Sequence, residues 1–123
     1  MRYEPLEMPF STADADDPRI HLERGRVRVS YRNWQEKPVV LLFHDVVAVS
    51  WDDGDAALCA EHRDDCSYIV HESPWLARHR EAETIMPSED RRHFKLAFNA
   101  IGVLQVLAST LEVVSEPGED PTV

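Results

Sequence analysis

Val27, Val29 and Tyr31 alternate with Arg26, Arg28, Ser30 and Arg32. A period of two puts the apolar set on one side of the chain and the arginines on the other, which predicts a half-buried strand. The polar stretch from Asn33 to Pro38 reads as a turn. Val39 to Trp51 then runs apolar at both phases and is rich in β-branched residues. That pattern predicts a central strand, bent at His44-Asp45, that forms an antiparallel hairpin with the first. Ser67 to His71 reads as a further strand with Tyr68 and Val70 on one side. Ser73 and Pro74 predict a helix start, because a serine hydroxyl satisfies a free backbone N–H and a proline at the first position has none to waste. The helix continues to about Glu83, and Thr84-Ile85-Met86-Pro87 ends it.

Phe94, Leu96 and Phe98 alternate with His93, Lys95 and Ala97, which predicts another strand. Asn99 to Gly102 would connect it to a returning strand, Val103 to Val114, with Gly102 free to take positive φ. Phe94, Phe98, Ile101, Leu104, Ala108 and Leu111 also fit a helical stripe. The hairpin is preferred, because Asn99 and Gly102 are poor choices for a helix interior.

The expected fold is α+β, mainly an antiparallel sheet of about five strands with one short helix. Its core would draw on Val27, Val29, Tyr31, Val47, Val49, Trp51, Phe94, Leu96, Phe98 and the last strand. Residues 1–18 hold three prolines and the run Asp14-Ala15-Asp16-Asp17, so they read as an extended N-terminal arm that Leu6, Met8 and Phe10 could lay on the body. Residues 19–114 form the single domain. Residues 115–123, with Pro117, Gly118 and Pro121 among acids, read as a disordered acidic tail.

Composition narrows the function. A chain of 123 residues is one domain's worth. The 23 Asp and Glu outweigh 13 Lys and Arg, for a formal charge of −10. This excess argues against sequence-independent nucleic-acid binding and against docking on anionic membranes, both of which need cations. The first residues form no apolar signal region, no run is long enough to span a bilayer, and two cysteines are too few for a disulfide scaffold. The reading is a cytoplasmic protein with reduced thiols.

Several residue sets could carry chemistry. Cys59, His62, Cys66 and His71 offer thiolates and imidazoles, the donors tetrahedral zinc prefers, but their spacing matches no common zinc module. Asp52, Asp53 and Asp55 surround Gly54 and could hold a hard cation; without a bidentate glutamate in register they read better as a solvated turn. His44 and Asp45 would be the catalytic pair of choice, although a bulge satisfying its own backbone explains them too. No Gly-x-Ser-x-Gly elbow or phosphate-binding loop frames the histidines and serines, which favours a binding protein over an enzyme. Arg24, Arg26, Arg28 and Arg32 line one side of the first strand, where guanidinium forks could take carboxylates of a partner or pair with the chain's own acids. Trp34, in the turn, is the best exposed aromatic anchor, whereas Trp51 belongs to the core by phase and Trp75 packs the helix on the sheet.

The segments Val-Ser-Tyr-Arg-Asn-Trp (29–34), Leu-Phe-His-Asp-Val-Val-Ala-Val (42–49), Asp-Cys-Ser-Tyr-Ile-Val-His-Glu-Ser-Pro-Trp-Leu (65–76) and His-Phe-Lys-Leu-Ala-Phe-Asn-Ala-Ile-Gly-Val-Leu (93–104) resemble small acidic bacterial proteins of uncharacterised function. Some of these look like immunity proteins of toxin systems. The resemblance implies a fold more than a function and brings no catalytic motif. The leading expectation is a non-enzymatic protein-interaction module, of immunity type, that binds a basic partner. Its contacts would include Arg24, Arg26, Arg28, Arg32, Trp34, Asp52, Asp53 and Asp55. The alternatives are a metal- or small-molecule-binding protein, which could be an enzyme, built on the Cys/His set with zinc as the cofactor, and a self-associating structural module forming a homodimer.

Overall fold

The computed structural model describes residues 2–6, 10–12, 15–53, 67–82, 89–98 and 101–115. Nine strands and one helix follow one another: β1 (Arg2–Pro5), β2 (Asp16–Glu23), β3 (Arg26–Arg32), β4 (Pro38–His44), β5 (Ala48–Asp53), β6 (Ser67–His71), α1 (Pro74–Glu81), β7 (Arg92–Phe98), β8 (Gly102–Ala108) and β9 (Thr110–Ser115). They form two sheets, β1-β6-β7-β8-β5 and β2-β3-β4-β9, and every pairing is antiparallel. The α+β class with mainly antiparallel sheet and one short helix holds. The strands among the described residues number nine in two sheets rather than about five in one.

Alternation explains where the core sits. Val27, Val29 and Tyr31 of β3 and Val39, Leu41 and Phe43 of β4 face Phe94, Leu96 and Phe98 of β7 and Leu104, Val106 and Ala108 of β8. Tyr31 meets Phe98 edge-on with ring centres 5.3 Å apart, and Phe43 meets Phe94 at 5.4 Å, so aromatic pairs join the two layers. Val49 and Trp51 pack against this cluster as partly buried residues; Val47, expected in the core, is half-buried outside it.

The segment from Val39 to Trp51 is not one strand. It turns at Asp45, where φ is 53°, and passes from the four-stranded sheet into the five-stranded one. Its partner does the same: the returning strand expected over Val103–Val114 divides at Ser109 into β8 and β9. β4 pairs with β9 and β5 with β8, so a single two-stranded ribbon belongs to both sheets. The corner is clamped. Ser109 N–H donates to the His44 carbonyl at 3.0 Å, Ser109 Oγ donates to Asp45 Oδ2 at 2.7 Å, and Val47 N–H donates to the Leu107 carbonyl at 2.9 Å. Strands that change sheets do so through such bends.

The N-terminal arm is built into the fold at both ends. β1 adds to β6, and β2 begins at Asp16, so the boundary expected at residue 18 falls inside a strand. Prolines and acids hid both strands, which lie at sheet edges where such residues are tolerated. At the other end β9 runs to Ser115, and residues 116–123 of the expected tail lie outside the described residues. The helix starts as read from the sequence: Ser73 is the N-cap, its Oγ accepts from Leu76 N–H at 3.1 Å, and Pro74 opens the first turn.

Residues 92–98 and 102–108 form a hairpin, not a helix. Gly102 serves it for a reason other than positive φ. A Cβ there would overlap the Trp51 indole, with Cε2 and Cη2 at 2.7 Å. Gly102→Ala should therefore cost about 1–3 kcal/mol through overpacking. Urea denaturation of G102A, of W51A and of the double variant checks this, and in the double variant the alanine at 102 should cost far less than it does beside Trp51.

Candidate functional site

The outward phase of β3 places Arg26, Arg28 and Arg32 on the solvent side of the four-stranded sheet, with Arg24 in the tight β2–β3 turn beside Gly25, whose φ is 72°. Arg26 Nη2 lies 3.2 Å from Glu23 Oε2, and Arg32 Nη2 lies 3.2 Å from Asp16 Oδ2. Arg19 pairs with Asp17 at 3.2 Å. Such exposed pairs contribute little to stability but neutralise the cations involved. Arg24 and Arg28 have no ion pair among the described residues. Arg28 stands in register between His21 of β2 and Leu42 of β4. It lines a cleft of about 380 Å³ with Arg19, Ile20, His21, Glu23 and Ser30.

One large apolar side chain flanks this face: Trp34, 59% exposed, lies just past the end of β3, whereas Leu22, 66% exposed, is in register with Val27 and projects from the other face of the sheet. The Trp34 turn is held from within. Asn33 is buried, and its Oδ1 accepts from the backbone N–H of Gln35 at 2.9 Å and of Lys37 at 3.0 Å. A side-chain oxygen that closes the turn leaves the following tryptophan pointing outward.

The other predicted site residues are dispersed. Asp52 and Asp53 belong to β5 in the opposite sheet, in register with Val103 and Gly102, and Asp53 Oδ1 accepts from Trp51 Nε1 at 2.7 Å. They do not join the arginines, and Asp55 lies outside the described residues. So do Cys59, His62 and Cys66. His71, the fourth of that set, pairs through Nε2 with Glu4 Oε1 at 2.8 Å. Among the described residues no three or more His, Cys, Asp or Glu come together as metal ligands. His44 and Asp45 diverge: His44 Nε2 lies 3.2 Å from Glu112 Oε2, while Asp45 holds Ser109 at the corner.

A second arrangement escaped the sequence reading. On the outer side of the five-stranded sheet, under the Trp75 indole of α1, His93 is buried between Ser73 and Gln105. Gln105 Oε1 lies 2.7 Å from His93 Nε2, and Ser73 Oγ lies 2.7 Å from His93 Nδ1. A carboxamide oxygen can only accept, so Nε2 carries the proton and donates. Burial pushes the His93 pKa below its usual value; the bond to Gln105 opposes this and the Lys95 ammonium adds to it. The neutral ring then presents a bare Nδ1, which accepts from the Ser73 hydroxyl. Lys95, also buried, sits over the Tyr3 ring at 5.2 Å. Neither spacing nor periodicity marks this set, because three separate elements supply its members.

Comparison with protein-family models, with curated proteins and with solved structures finds no match. No helix among the described residues is long and apolar enough to cross a membrane.

The neutral His93 has a consequence for stability. The unfolded chain takes up a proton near the ordinary imidazole pKa, whereas the folded chain resists it until lower pH. Stability should therefore be complete above about pH 6.5 and fall as the pH drops below that value. Urea midpoints between about pH 5 and pH 8 check this, and His93→Gln should flatten that part of the profile relative to the native chain.

Proposed function

We propose that this chain is a non-enzymatic protein-interaction module of the cytoplasm, of immunity type, that binds a basic partner and takes a carboxylate of that partner on its outer four-stranded face. The observation that carries the reading is Arg28. It stands at the middle of an exposed sheet face with no ion pair among the described residues, while Arg19, Arg26 and Arg32 around it are neutralised by the chain's own acids. A guanidinium left unpaired beside an open cleft suits a carboxylate presented by a partner. Trp34 supplies exposed apolar area of the kind that anchors interfaces. The net charge of −10 steers a basic protein toward the molecule, and the local contact at Arg28 fixes its orientation.

Affinity capture from the native cell at two salt concentrations, with mass spectrometry, tests the proposal when native and variant chains are compared. A specifically retained basic protein should bind more weakly at the higher salt. Trp34→Ala and Arg28→Glu should each reduce its retention about tenfold or more, in line with a loss of roughly 1.4 kcal/mol or greater at an interface anchor. Equal retention by native chain and both variants, or no retained protein at either salt, would overturn the reading. Circular dichroism of both variants should match the native chain, since neither side chain is buried.

A further inference from the structure

Clefts on the described surface differ in the charge of their walls. One holds Glu4 and Glu72 beside Arg91 and Arg92, and the cleft at Arg28 holds Glu23. A third, about 450 Å³, lies between α1 and the five-stranded sheet and is lined by Val49, Ser50, Trp75, Arg78, His93 and Gln105. Its described lining has no acid, in a chain with 23 of them, and it carries the Arg78 guanidinium. Arg78 is exposed and has no ion pair among the described residues.

The hydrogen bonds behind this cleft run in one direction. Ser73 Oγ accepts from Leu76 N–H at the helix start and donates its own proton to the bare His93 Nδ1. His93 Nε2–H then donates to Gln105 Oε1. The Gln105 oxygen is thereby held against the histidine, and the amide nitrogen, with its two protons, is turned away from it. That nitrogen makes no hydrogen bond among the described residues. The cleft therefore offers an oriented amide donor, a guanidinium and the Ser50 hydroxyl, against a wall formed by the Trp75 indole. Its volume is in the range that holds small molecules.

We propose that this cleft is a binding site for a small carboxylate, seated against Trp75 and held by Arg78, Gln105 Nε2 and Ser50. Carboxylate oxygens accept only, so they match a wall whose free polar groups donate. The site is separate from the partner face, which lies on the other sheet, and either can stand without the other.

Benzoate serves as the probe, with benzamide as its neutral counterpart. In a two-dimensional NMR titration of the full chain, benzoate should move the Trp75 indole N–H and the Gln105 side-chain amide signals saturably. Benzamide should bind about tenfold more weakly, as should benzoate to Arg78→Gln, reflecting loss of a charge-assisted bond. Arg78 is exposed on the helix, so this variant keeps the fold. Gln105→Glu retains an oxygen for His93 but replaces the donor with a negative charge, and it should abolish binding. The proposal is overturned if benzoate gives no saturable shift at Trp75 and Gln105, or if it binds the Arg78→Gln chain as tightly as the native one.

Discussion

The two sheets are held to each other by a ribbon that each of them needs. Residues 40–53 and 102–115 stay paired while passing from one layer to the other, so the corner at Asp45 and Ser109 decides how the layers stack. The ladder holds one more residue on the β4–β5 side than on the β8–β9 side between the pairs Phe43–Leu111 and Val49–Val106. That excess is a bulge, and it keeps the apolar phase pointing inward on both sides of the bend. Removing one residue there would turn Val49 and Trp51 away from Phe98.

The two layers treat polar groups differently. The outer phase of β2 and β3 is wet, and its charges pair between the two strands. The outer phase of β7 is dry even though it carries His93 and Lys95. Buried polar groups must be satisfied, and here the satisfaction is directional: a helix cap, a ring and an amide share their protons in one order. Charge on the wet side can be rearranged at small cost. A change on the dry side must preserve every partner or leave a group stranded.

What the sequence reveals follows from how locally each feature is specified. β3, β6, β7 and the capped start of α1 are written in adjacent residues, as alternation or as Ser-Pro, and they stand where the pattern puts them. The arginine face is legible for the same reason. β1 and β2 are edge strands whose prolines and acids look like a loop when read alone. The sheet change at Asp45 has no glycine or proline to announce it, and burial of Val40 and Leu42 on the outward phase made 39–51 look continuous. The Ser73–His93–Gln105 set needs the diagonal register of β7 and β8 and the docking of α1, which no window of sequence contains.

The shared ribbon also bears on how the molecule comes to be folded. Neither sheet can be completed from neighbouring strands alone, because β4 needs β9 and β5 needs β8, from far along the chain. The hairpins β2–β3–β4 and β7–β8 are local and can form early. Closing the ribbon between them brings together distant segments before their apolar faces are covered, and that step carries most of the loop-closure entropy. The molecule should therefore gain its two layers in one concerted, comparatively slow event, with few stable halfway states in which one sheet exists without the other.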